Sequence, residues 1–285
     1  MDEPAEARQE SVGDYPKELV EFLAAGPRTL VVRGRPRCGK TLFALGLAET
    51  RASPQNTFIV NTRAFEPQVY ETFPWLKNNE ARDKSLEILS QVSAPALKAP
   101  PKPVKPPEEE ARIKSAREML RGILGEVPEA PPPEEPQKPE RPPEGPDISG
   151  LKAALGENRP RELVRIYRGL ERVPEGVGPV VVILDRADRF CEKNGIDLAK
   201  LAGAMGADLS KRYQAHLLLV LEKPGGELDK PADGIVSLKE VGQSDDFLGQ
   251  LELVKLGELK IKSPKWMYNL RAGRFQVLKG MRVWG

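Results

Sequence analysis

Residues 29–48, TLVVRGRPRCGKTLFALGLA, constrain the fold of this chain more than any other stretch. An apolar run stops at Gly34. Gly39, Lys40 and Thr41 then head a segment whose apolar residues recur at helical spacing. A strand, G-x-x-x-x-G-K-[ST] and a helix in that order read as a phosphate-binding P-loop in its expected context. Gly34 and Gly39 permit backbone angles that let successive N–H groups turn inward around phosphate oxygens. Arg35, Pro36, Arg37 and Cys38 fill the loop between them, and Leu42 follows it. The helix starting near Lys40 aims its unpaired N–H groups and positive dipole end at the same anion. Lys40 is expected to reach the β- and γ-phosphates of a nucleotide, and the Thr41 hydroxyl to ligate Mg²⁺. Within the loop, Arg35 and Arg37 read mainly as outward-pointing, because P-loop contacts come from backbone. Cys38, beside a helix N-terminus, reads as a thiol of lowered pKa.

A nucleotide site needs a second carboxylate to hold the metal and its waters. Val180 to Leu184, VVVIL, is the β-branched run expected of a strand buried on both faces, and Asp185 closes it in the Walker B manner. Asp188, three residues on, reads as a helix cap or surface charge. Around these segments, strands expected at 57–61, 216–221 and 235–238 alternate with amphipathic helices at 15–25, 161–170 and after Asp197. Leu163, Val164, Tyr167 and Leu170 share a face of the second of these. A helix is expected over 65–76, bent or ended by Pro74, and 86–92 leans to a short strand. Residues 248–256, 266–270 and 274–278 read as an antiparallel meander. The fold class is therefore α/β: a mostly parallel sheet flanked by helices, with phosphate at the carboxyl end of the first strand.

More than half of the 28 prolines fall within 93–146, interleaved with Lys and Glu. Such a segment buries too little apolar surface to offset its ordering entropy, so it reads as a disordered insertion. One exception, 108–124, carries apolar residues at helical spacing and reads as a short helix, docked on the domain or offered to a protein partner. The polar residues 1–14 are expected to be disordered and do not read as a secretory signal. Residues 15–92 and 147–285 form one domain. Two cysteines, Cys38 and Cys191, fit reduced thiols in a cytoplasm better than a disulfide framework. No apolar run approaches the ~20 residues needed to span a bilayer. His216, the single histidine, supports neither a metal site nor a catalytic triad.

The order of elements resembles the RecA/KaiC superfamily of P-loop ATPases, and most closely archaeal KaiC-like proteins and relatives of the gas-vesicle regulator GvpD. The likeness rests on RGRPRCGKTLFALGLAE, NTRAFEPQVYETFPWL, VVVILDRADRFCEKNGID, HLLLVLEKPGGELDKPADGIVSLKE, LELVKL and the hairpin from Trp266 to Phe275. It implies a RecA-like core, ATP with Mg²⁺, and assembly into homo-oligomers with nucleotide at subunit boundaries. Two departures stand out. The family places paired glutamates directly after the second strand, where this chain has Asn61, Thr62 and Arg63, and Glu66 is the nearest carboxylate. The family's late Lys-x-Arg pair, which reaches a neighbouring subunit's γ-phosphate, is matched by Lys255 but not by Gly257. An arginine finger is worth ~10³–10⁵ in rate. ATP binding with weak hydrolysis, used as a regulatory switch, is the expected function.

A net charge of only +2 excludes a polycation built for nucleic acid. The last thirty residues nevertheless interleave Lys260, Lys262, Lys265, Arg271, Arg274, Lys279 and Arg282 with Trp266, Tyr268, Phe275 and Trp284. Basic groups beside stacking aromatics suit single strands, which makes a DNA-associated accessory ATPase the alternative.

Overall fold

The computed structural model describes residues 15–92, 148–156, 158–174, 176–223, 226–241, 247–258 and 265–282. The N-terminal 14 residues, the insertion 93–146 with its expected 108–124 helix, and Lys260, Lys262 and Trp284 lie outside the described residues. By contacts the chain divides into residues 1–87 with 145–285, and residues 88–144. The first unit holds the whole sheet.

Five parallel strands build one side of that sheet: β1 (Thr29–Gly34), β2 (Thr57–Asn61), β3 (Val180–Asp185), β4 (Ala215–Val220) and β5 (Gly234–Glu240). Three antiparallel strands come after them: β6 (Leu248–Leu256), β7 (Lys265–Arg271) and β8 (Arg274–Arg282). Their order across the sheet is β2-β3-β4-β1-β5-β6-β7-β8. The central strands are apolar through their middles because each alternates between two cores. Leu30, Val32, Val181, Ile183, Leu218 and Val220 face one, packed under α1 (Lys17–Ala24) and α2 (Lys40–Arg51). Val31, Val182, Leu184, Leu217 and Leu219 face the other. That second core is closed by α6 (Arg161–Leu170), α7 (Ala187–Asn194) and α8 (Leu198–Tyr213), with the single turn α5 (Lys152–Leu155) beside it. A period of two with both faces apolar is what a doubly covered sheet requires.

One local expectation holds and one changes. Pro74 ends the expected helix, leaving α3 (Pro67–Thr72) before it and α4 (Trp75–Val92) after it. Residues 86–92, which lean to a strand in sequence, form the end of α4 instead. Nothing between Trp75 and Val92 is Gly or Pro. Once nucleated behind Pro74, the helix therefore gains a backbone hydrogen bond for each residue added.

The outer edge of β2 is covered by side chains. Asn79 Nδ2 and Arg82 Nη2 both donate to Thr57 O at 3.0 Å, and Arg165 Nη2 donates to Ile59 O at 3.3 Å. Carbonyls that would otherwise template another strand are thereby occupied.

His216 is buried on β4, and its Nδ1 accepts the Arg28 N–H at 3.2 Å. Burial, then the charges of Arg51 and Arg28, push its pKa down to about 4. The unfolded chain therefore takes up a proton near pH 6.5 that the folded chain refuses until about pH 4. This stability is fully present above pH 6.5 and is lost as pH falls toward the folded value. Between pH 7 and pH 5 the loss should be about 2 kcal/mol. Urea unfolding at the two pH values, with His216→Asn as reference, checks it; an equal drop in both proteins excludes His216 as the cause.

Candidate functional site

Strand register assembles the site before any side chain is considered. Asn61, Asp185 and Val220 are aligned neighbours across β2, β3 and β4, and Val220 pairs with Val32 of β1. All these strands are parallel, so the segments leaving this row emerge at one end of the sheet. The 34–41 loop, residues 62–63, Arg186 and Glu222 all do so, and Pro36, Arg37, Gly39, Lys40, Thr41, Arg63, Arg186 and Glu222 line one cavity of about 620 Å³.

The loop is folded by residues with left-handed backbone. Arg37 has φ 66° and Gly39 φ 80°, and α2 begins directly after Gly39. Alternation of this kind turns backbone N–H groups into a concave, anion-seeking nest at a helix start. Gly34 has no room for a side chain: a Cβ there would overlap Leu238 O and sit 2.8 Å from Cys38 Sγ. Lys40 is buried at the first position of α2, and its Nζ donates to Gly34 O at 2.8 Å and Arg35 O at 2.6 Å. Burial lowers its pKa, although Cys38, Asp185, Asp188 and Glu222 pull the other way.

Thr41 Oγ1 donates to Asp185 Oδ1 at 2.8 Å, joining two residues 144 positions apart. Asp185 is buried, which raises its pKa against the opposing Thr41 hydrogen bond and the charges of Arg186, Arg63 and Lys40. A buried ammonium and a buried carboxylate, each biased toward neutrality, converge on one cavity wall. Chemically the arrangement suits a polyanion accompanied by a hard cation, which would restore charge to both groups.

The antiparallel strands also reach this end. Tyr268 OH donates to Cys38 O at 2.6 Å, so β7 grips the loop from the side. Leu270 packs over Gly39, and both Leu270 and Gly273 line the cavity. Phe275 stacks on Tyr268 and meets Phe43 of α2 edge-on. Arg274 pairs with Glu49 of α2 at 2.9 Å and donates to Thr72 O at 3.1 Å. Trp266, Tyr268 and Phe275 are buried. These three rings of the four expected to stack on a single strand are thus packed inside the fold, Phe275 among them holding α2, while Trp284 lies outside the described residues.

Of the residues singled out in sequence, Pro36, Arg37, Gly39, Lys40, Thr41, Leu42, Glu66 and Asp185 line the cavity. Gly34 shapes it from behind. Arg35 is exposed and contributes its carbonyl. Cys38 is buried, and burial raises its thiol pKa, correcting the lowered value inferred from the helix end. Glu66 precedes α3, exposed, and its side chain caps nothing there. Lys255 is not brought to the cavity. Its strand position pairs with Ile235, near the start of β5 and so at the opposite end of the sheet, and its ammonium donates to Asp229 O and Ala232 O.

Asp188 is neither cap nor surface charge. It is buried, and its carboxylate accepts the N–H groups of Glu222 at 3.1 Å and Lys223 at 2.8 Å, fixing the exit from β4. Sequence reasoning also gave no role in the site to Arg63, Arg186 or Glu222, all of which line the cavity. Glu222 Oε2 accepts Arg189 Nε at 2.6 Å, and this bond holds its carboxyl below the usual range. The signal for all three was position: each lies within two residues of the end of a parallel strand. It becomes usable only once the strand order is known.

No family model matches the chain, and no curated protein matches it. Among solved structures it is similar to a KaiC-like protein from the hyperthermophilic archaeon Pyrococcus horikoshii, at 10% identity and a TM-score of 0.43, over 89% of this chain and 90% of that one. So loose a likeness carries no weight for activity, and the site's chemistry rests on its own residues.

Proposed function

We propose that this chain binds ATP with Mg²⁺ as a P-loop protein of the RecA/KaiC type and serves as a nucleotide-dependent regulatory switch with slow hydrolysis. The observation that carries the proposal is the 2.8 Å contact between Thr41 and Asp185 beside the buried Lys40. A hydroxyl and a carboxylate are hard oxygen donors, and Mg²⁺ is typically held by one or two such groups plus substrate phosphates and water. Among the described residues no group of three or more His, Cys, Asp or Glu forms a self-sufficient metal cage. The metal would therefore arrive with the nucleotide. The loop backbone and Lys40 would bind the phosphates, Thr41 would contact the metal, and Asp185 would hold its water. When bound, Mg²⁺ would neutralise charge on the phosphates.

Slow turnover is favoured by the carboxylates on the wall. Glu222 is committed to Arg189 and Glu66 is exposed at a helix start, so neither is a buried base poised over the loop. A protein that holds ATP for long periods suits control, as the resemblance to the gas-vesicle regulator implies. Among the described residues no helix is long and apolar enough to cross a membrane.

Calorimetric titration with ATP, with and without Mg²⁺, tests the reading. Saturable binding strengthened by Mg²⁺, with turnover far slower than product exchange, is the expected result. No heat of binding in either condition would remove it.

A further inference from the structure

We infer that Arg63 and Arg186 read the terminal phosphate of the nucleotide within the same chain, so that the site distinguishes a triphosphate from a diphosphate. This rests on the nucleotide-binding reading above and adds a specificity to it.

The topology sets the direction of the ligand. The 34–41 loop leaves β1, and the order β1-β4-β3-β2 leads away from it along the carboxyl end of the sheet. A phosphate chain entering at the loop and passing Lys40 meets the Thr41–Asp185 pair on β3. The last phosphate of a bound nucleotide would then face the exits from β3 and β2, where Arg186 and Arg63 stand. A diphosphate would stop short of both.

Most nearby arginines are tied to partners, whereas these two, like Arg37 on the loop, are not. Nearby arginines are engaged: Arg189 with Glu222 and Glu192, Arg274 with Glu49 and Thr72 O, Arg165 with Ile59 O. Among the described residues the guanidinium groups of Arg63 and Arg186 donate no hydrogen bond and form no ion pair, yet both line the cavity. A planar fork of five donors left open on an anion-seeking cavity matches a phosphoryl group bidentately.

Backbone geometry points the same way. Arg186 sits at φ 57°, ψ 51°, a conformation that costs a non-glycine residue energy and tends to persist at functional positions. It turns the chain sharply at the mouth of the cavity, immediately after Asp185. Arg63 is set by a local turn in which its N–H donates to Asn61 Oδ1 at 3.3 Å. A cation at each of these points clamps a phosphate but cannot accept a proton from an attacking water, which agrees with retention over turnover.

Dissociation constants for MgADP and for a non-hydrolysable Mg-bound triphosphate analogue, measured in the unaltered protein, Arg63→Gln and Arg186→Gln, decide the matter. Arg63 is exposed on a loop, so its variant is expected to fold, with circular dichroism as the check. Each variant should lose about tenfold or more in triphosphate affinity while MgADP stays within about twofold. Equal weakening of both nucleotides, or of neither, overturns the arginine assignment alone. Failure of the unaltered protein to bind either nucleotide overturns the nucleotide reading itself, and the assignment with it.

Discussion

Gly34→Ala is expected to lower stability by about 2–5 kcal/mol, more than any other single change in the loop. The added methyl would overlap Leu238 O, a backbone atom locked in the β1–β5 ladder, and would sit 2.8 Å from Cys38 Sγ. Relief requires β5 to move away from β1 or the loop to lift, and either breaks packing in the first core. The residue's φ of 155° adds a further penalty for any side chain. Gly39→Ala makes the useful contrast. Its methyl would meet the ends of the Leu270 side chain at 2.7 Å, which can rotate aside, so what remains is mainly the strain of an alanine at φ 80°. Urea unfolding checks the pair: a midpoint for Gly34→Ala as high as that of Gly39→Ala would contradict the clash argument.

Lys40→Ala should show the opposite signature, weakening MgATP about 10- to 150-fold while leaving stability within about 1 kcal/mol. The affinity loss arises because a charge-assisted bond to a phosphate disappears from a buried position. The stability change is small because burial already disfavours the ammonium in the folded chain. Its acceptors lie in the loop at the cavity, one of them on the exposed Arg35, where water can replace the donor. Calorimetry and urea unfolding on the same sample separate the two effects. Unchanged nucleotide affinity would remove Lys40 from the site.

The contrast between these variants reflects two jobs within eight residues. Glycine at 34 answers to β5, whereas lysine at 40 answers to the ligand. Tyr268 adds a third constraint by holding Cys38 O from β7, which explains why the antiparallel strands belong with the site although the two residues are 230 positions apart in sequence.

What the sequence determined by itself was local. Gly34, Gly39, Lys40 and Thr41 announce a strand, a phosphate-type loop and a helix, because backbone freedom, spacing and periodicity act within a few residues. VVVILD announces a buried strand ending in a carboxylate for the same reason, and Pro74 announces a break. Tertiary structure decided the remainder. Asp188 looks like a surface charge until β4 delivers two N–H groups to it. Cys38 looks activated until the core closes over it. The aromatics of the last hairpin look free to stack until α2 covers them. Lys255, expected to act on a neighbouring subunit, is set by the sheet at the end away from its own chain's loop. Arg63 and Arg186 look ordinary until strand order sets them past Asp185. Each of these depends on contacts between residues far apart in the chain, whose burial and charge environment do not exist until the sheet has formed.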